Sequence, residues 1–194
     1  TICYRLRNKN IYALEGSIFI AGAGVQWLRD KMRLIDNAYD TEKIAKSKMN
    51  NNEIYIVPAF TGLGAPYWRP DTKGLITGIT RNTDWKNFVR ATLESVAYQS
   101  HDLFESMRKD GCKSKIIKVD GGMVSNNWLA QFLADILNTK VLRPKIEDTT
   151  ALGVAFFAGY QIGEFKSLEE IKNKWKKDAI FSPKISQKQR NFLL

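Results

Sequence analysis

The residues with the clearest chemical promise are Asp120-Gly121-Gly122-Met123-Val124-Ser125-Asn126. Adjacent glycines let a ligand approach the backbone closely, because glycine has no Cβ and tolerates positive φ. Ser125 or Asn126 can accept an orphan N–H of a helix that follows. The start of such a helix adds free N–H groups and a partial positive charge, which favour a phosphate or other anion. An ordinary tight connection explains the same residues equally well, since a lone glycine pair is a weak motif. A second small-residue run is Ala21-Gly22-Ala23-Gly24. Glycine inside a helix costs up to about 1 kcal/mol relative to alanine. The run therefore points either to a ligand or backbone coming close, or to tight helix packing.

Other chemistries are excluded by count. His101 is the single histidine, so a histidine-based triad or a multi-histidine metal site is ruled out. Cys3 and Cys112 provide neither a disulfide framework nor metal-ligand spacing. They read as free thiols of a reducing, cytoplasmic compartment.

The double-glycine turn needs elements to hold it. Before it, Ile116-Ile117-Lys118-Val119 is a β-branched run that predicts a buried strand. After it, Trp128, Leu129, Phe132, Leu133, Ile136 and Leu137 lay one apolar stripe along a helix. The unit is strand, turn, helix. Upstream, the pattern predicts a strand at Ile11–Leu14, a helix over Ser17–Leu34, a short helix around Thr41–Met49 and a strand at Ile54–Val57. Phe60–Trp68 mixes glycine, proline and aromatics and predicts a structured loop. A strand at Gly74–Ile79 and a long helix over Trp85–Arg108, capped by Asp84, follow. Downstream are a short strand at Val141-Leu142, a compact apolar helix over Ala151–Tyr160 and a helix opening at Ser167 with a capping-box-like start. Residues 181–194 read as a polar tail. Strands alternating with helices predict one α/β domain over residues 1–194.

The chain has 194 residues and a net charge of +10. Its basic residues are scattered. The thickest cluster, Lys172-Asn173-Lys174-Trp175-Lys176-Lys177, reads as the solvated face of a helix. No nucleic-acid motif accompanies the charge, so no nucleic-acid partner is expected. The longest apolar stretch, Ala151–Tyr160, is too short to span a membrane. Opening on Thr1 rather than Met, the chain reads as starting within something larger.

Several ordered stretches together resemble the FGGY carbohydrate kinases. Gly74-Leu75-Ile76-Thr77-Gly78-Ile79, followed after seven residues by Asn87-Phe88-Val89-Arg90-Ala91-Thr92-Leu93-Glu94, is similar to that family's second signature. Tyr12–Gly16, Pro58–Trp68, Asp120-Gly121-Gly122 and Thr149–Gly153 resemble the glycerol-phosphorylating members, the glycerol kinases. The resemblance implies an actin-like, ribonuclease-H-like ATPase domain: the C-terminal domain of a sugar or polyol kinase, truncated at its N-terminal edge. It implies ATP or ADP with Mg2+ as cofactors, and transfer of the γ-phosphoryl to glycerol, giving glycerol 3-phosphate. Gly22 and Gln26 resemble the family's phosphate-side nucleotide contacts; Gly121, Gly122 and Asn126 resemble its adenine-nucleotide turn. The family's catalytic aspartate and glycerol-contacting residues match nothing here, so no catalytic residue is assigned and the isolated chain is expected to be inactive. Glycerol is then a ligand of the intact enzyme only. An N-terminal-half chain is the implied partner, and intact family members are often oligomeric. The competing reading is a non-catalytic remnant or interaction module that binds no nucleotide.

Overall fold

The computed structural model describes residues 1–48 and 54–194. The chain divides into two compact units, Thr1–Ser114 and Lys115–Leu194.

The first unit opens with an antiparallel hairpin of β1 (Ile2–Leu6) and β2 (Lys9–Tyr12). Its two-residue turn, Arg7-Asn8, takes positive φ at both positions, the geometry that matches strand twist. The helix expected from Ser17 starts later, as α1 (Gly22–Asp30). Gly22 therefore opens the helix, and the backbone leading into it is free to turn. Then comes α2 (Asp40–Ser47), ending two residues before the expected Met49, which lies outside the described residues. A second antiparallel pair joins β3 (Tyr55–Val57) and β4 (Leu75–Thr77).

The long helix α3 (Trp85–Lys109) organises this unit. Asp84 caps it through a full capping box: the Asp84 carboxylate accepts from the Lys86 and Asn87 N–H groups, and the Asp84 N–H donates to Asn87 Oδ1 at 3.0 Å. Ala91 packs with Ile56 of β3 and with Ile54 just before that strand. On another side, a Cβ on Gly24 would lie 3.0 Å from Thr92 Cγ2, so Gly24 is small because α1 and α3 pack closely. Within α3, Arg90 donates to Glu94 at 2.7 Å; their side chains are 12% and 3% exposed, and Arg90 also reaches the Lys48 carbonyl at the end of α2. The Phe60–Trp68 loop is ordered as expected. Leu63 and Arg69 exchange backbone bonds at 2.8 and 3.0 Å, Trp27 packs at a tilt against Phe60, and Phe19 meets Trp68 edge-on.

In the second unit, β5 (Ile116–Lys118) runs parallel to β6 (Lys140–Pro144), and β6 runs antiparallel to β7 (Lys177–Phe181), giving the order β5-β6-β7. Helix α4 (Asn127–Leu137) is the core element, with Leu129, Ala130, Phe132, Leu133, Ile136 and Leu137 buried. It ends at Asn138, which takes the left-handed conformation at φ 49°. Helix α5 (Thr149–Gln161) follows, then α6 (Leu168–Lys174) with Ser167 as N-cap. The polar stretch after Phe181 carries a further helix, α7 (Gln187–Leu193). It is anchored by Arg190, 5% exposed, which donates to the Asp135 carbonyl at 2.7 Å and to Asn138 Oδ1 at 3.0 Å. A composition reading sees only polarity there; a guanidinium that finds several fixed acceptors can be buried.

Candidate functional site

In the second unit, two parallel strands end side by side, and each hands the chain to a helix. Open α/β sheets bind ligands at such carboxyl ends. From β5 the chain enters Val119-Asp120-Gly121, passes one 3-10 turn at Gly122–Ser125, and enters α4. From β6 it runs through Glu147-Asp148 into α5. Val119 N–H donates to the Leu142 carbonyl at 3.0 Å, and Gly121 N–H to the Glu147 carbonyl at 3.2 Å. Thr149 Oγ1 donates to the Asp120 carboxylate. The two connections are thus tied to each other along one wall of a cavity of about 430 Å³. Asp120, Gly121, Gly122, Glu147, Asp148, Thr149 and Thr150 line it. The volume falls within the usual range for small-molecule sites.

The two glycines differ in why they are glycine. Gly121 sits at φ 84°, ψ 168°, a region essentially reserved for glycine, so the backbone itself demands it. Gly122 has ordinary φ, and a Cβ built on it would meet nothing within 4 Å. Neither backbone nor packing explains Gly122; open space lies beside it.

Asn126, rather than Ser125, is the cap of α4: its Oδ1 accepts the Leu129 N–H at 2.9 Å. Ser125 Oγ instead donates to the Gly122 carbonyl at 2.7 Å and closes the 3-10 turn on itself. Arg143 of β6 braces the turn from behind. Its Nη1 donates to the Val124 and Ser125 carbonyls at 2.9 and 3.1 Å, while Asp178 of β7 holds the same guanidinium at 2.7 Å.

Gly121, Gly122 and Asn126 therefore belong to one turn of the second unit. Gly22 and Gln26 belong to α1 of the first, four residues apart and so on one face, Gln26 exposed and Gly22 half-buried. Sequence reasoning did not single out Arg143, Glu147 or Asp148. Glu147 and Asp148 adjoin the Thr149–Gly153 stretch that carried part of the resemblance, so a signal lay next to them. Arg143 had none, because its role exists only once β6 lies beside the turn. Among the described residues, no group of three or more His, Cys, Asp or Glu could hold a metal ion, and no helix is long and apolar enough to cross a membrane.

Residues 3–162 match the FGGY family of carbohydrate kinases, C-terminal domain. The chain belongs to this family. Curated relatives include the glycerol kinase of Alteromonas mediterranea, 51% identical over 191 residues, and that of Petrotoga mobilis, 50% identical over 194. These alignments cover 98% and 100% of this chain but 39% of each relative. The chain thus spans about two fifths of the length of the FGGY kinases it matches. Among solved structures, Plasmodium falciparum glycerol kinase with ADP aligns at a TM-score of 0.88 and 40% identity, over 99% of this chain and 39% of that one. Xylulose kinase from Lactobacillus acidophilus aligns at a TM-score of 0.76 and 22% identity, over 92% of this chain and 36% of that one, which speaks to fold alone. The fold is the α/β, actin-like ATPase fold of the FGGY C-terminal domain.

Proposed function

We propose that this chain holds the adenine nucleotide of a kinase that phosphorylates glycerol. The observation that carries the reading is Gly122: a glycine with no structural reason to be one, on the wall of a cavity at the carboxyl ends of two parallel strands. The Plasmodium relative aligned over almost the whole chain was solved with ADP, which supports the same ligand here. Gly121, Gly122 and Asn126 would contact the adenosine side. The carboxylates around the cavity, Asp120, Glu147 and Asp148, suit hydroxyl donors of a ribose better than phosphate oxygens. Gly22 and Gln26 would serve the phosphate side.

In this reading Mg2+ would arrive with the nucleotide rather than sit in a cage of side chains, and would supply neutralisation of the phosphate charge. The chemistry is γ-phosphoryl transfer, which depends on positioning, charge neutralisation and a carboxylate that accepts the hydroxyl proton. That carboxylate and the glycerol site would lie in the part of the relatives' length that this chain does not span. The contribution of this chain is then to bind and orient the nucleotide, and by itself it should turn over no glycerol.

Calorimetric titration with Mg-ADP tests the binding claim. We expect saturable binding that Gly122→Val and Asn126→Ala each weaken; no heat at millimolar ADP would remove the proposal. A coupled assay with glycerol and ATP tests the second claim, and robust turnover by the chain alone would overturn it.

A further inference from the structure

A second feature of the second unit lies outside the nucleotide reading. Trp175, between α6 and β7, shares its surroundings with several lysines. Lys118 Nζ stands 4.1 Å over its ring. Lys145, Lys174 and Lys176, with Ile146, Leu152 and the ring itself, line a separate cavity of about 60 Å³. The backbone fixes part of this arrangement, because Lys145 N–H donates to the Lys176 carbonyl at 2.9 Å.

Such crowding of like charge is unfavourable unless something neutralises it. Among the described residues, none of the carboxylates near them in the chain forms an ion pair with these lysines. Asp178 pairs with Arg143 at 2.7 Å and Glu169 with Lys172 at 3.1 Å. Glu170 accepts the Lys166 N–H at 2.9 Å, and Asp120 accepts from Thr149. Glu147 and Asp148 border the other cavity, Asp148 also accepts the Ala151 N–H as the cap of α5, and neither belongs to an ion pair among the described residues. Among the described residues, none of the ion pairs involves Lys118, Lys145, Lys174 or Lys176. The chain as a whole is strongly basic, which adds a general attraction for anions.

We infer that the cavity beside Trp175 binds a compact phosphoryl group, held by Lys145, Lys174 and Lys176, with Trp175 and Leu152 packing against the apolar part of its carrier. Lys145, Lys174 and Lys176 all border one small hollow rather than forming a stripe, so the fit is to a single tetrahedral anion and not to a nucleic-acid backbone. A cavity of about 60 Å³ holds only a few water-sized groups. The carrier is either free phosphate or a phosphomonoester of a small apolar molecule.

Inorganic phosphate and phenyl phosphate, titrated separately into the full 194-residue chain at constant ionic strength, test this. The Trp175 indole and the Lys145 and Lys176 amides are read by two-dimensional NMR. Both ligands should give saturable shifts at these positions. Tighter binding of phenyl phosphate assigns a phosphomonoester, and equal binding assigns free phosphate. Replacing Lys145, Lys174 and Lys176 together by Gln should weaken binding by about tenfold or more, from the loss of close charge attraction. Replacing Lys109, Lys184 and Lys188 by Gln removes the same charge at other positions and should change affinity by less than about twofold if local contacts govern binding. All these side chains belong to exposed residues, so folding should survive, and a thermal melt checks it. Shifts reproduced by chloride alone, or equal loss in the control variant, would overturn the site.

Discussion

The two glycines of the nucleotide turn can be separated by experiment. Gly121 occupies φ 84°, ψ 168°. An alanine there is strained by about 1–3 kcal/mol whatever space surrounds it. For a chain of this size 1 kcal/mol moves the thermal midpoint by roughly 2–4 °C, so Gly121→Ala should lower it by about 2–12 °C. Gly122 has ordinary φ and open space where a Cβ would stand. Gly122→Ala should therefore stabilise by about 0.4–1 kcal/mol, chiefly by restricting the unfolded chain, and raise the midpoint by a few degrees. Yet its methyl group would project toward the place proposed for the nucleotide. ADP affinity should fall roughly tenfold, equivalent to about 1.4 kcal/mol. Scanning calorimetry and ADP titration on both variants give the needed pair of numbers. A more stable Gly122→Ala that binds ADP as the parent does would refute the reasoning, because the open space would then belong to no ligand. A destabilised Gly122→Ala would refute it differently, by showing that packing does require the glycine.

Other consequences follow from charges placed by the fold. Arg143→Gln releases the Val124 and Ser125 carbonyls and the Asp178 carboxylate; it should cost about 1.5–3 kcal/mol in thermal unfolding and weaken ADP binding by loosening the turn. Arg90→Met removes the guanidinium that pairs with the Glu94 carboxylate, whose side chain is 3% exposed, and should cost about 3–5 kcal/mol; the double variant Arg90→Met, Glu94→Leu should regain most of that loss. The phenol of Tyr67 donates to Asp102 at 2.7 Å, and this bond, then burial, then the Asp102 charge push its pKa up to about 12. A raised phenol pKa means the folded state favours the protonated form. This contribution is complete below the ordinary tyrosine pKa of about 10 and is lost as pH climbs from there toward the folded value. Tyr67→Phe should flatten that alkaline fall in chemical-denaturation midpoints, and an unchanged slope would show that other groups cause it.

Local chemistry made much of the fold legible. Asp84 announces α3 because a carboxylate before a long amphipathic run is a capping signal that acts within one turn. The β5–turn–α4 unit was legible for the same reason: β-branched residues, glycines and an Asn cap lie next to one another in the chain, although β5 is not the buried strand expected, since it lies at the edge of its sheet with Ile116 47% exposed. Elements held by distant partners were not. β7 lies in a lysine-rich stretch where alternation is hidden by charge; β1, though paired locally with β2, was missed because the Arg7-Asn8 turn carries no glycine signal. α7 looked like a tail because the acceptors of Arg190 lie about fifty residues upstream, in α4 and its cap.

The candidate site divides along the same line. Its glycines and cap could be read, since a turn is made by neighbours. Its walls could not: the Asp120–Thr149 bond joins residues 29 apart, and Arg143 reaches back 18 and 19 residues to the carbonyls it holds. Whole-chain charge was the least informative quantity for this cavity. A chain of net charge +10 surrounds it with Asp120, Glu147 and Asp148, while lysines that form no ion pair among the described residues lie beside Trp175 instead. Charge summed over the sequence favours anions everywhere; charge placed by the fold sets carboxylates around one hollow and lysines beside the other, the contrast on which both proposals rest.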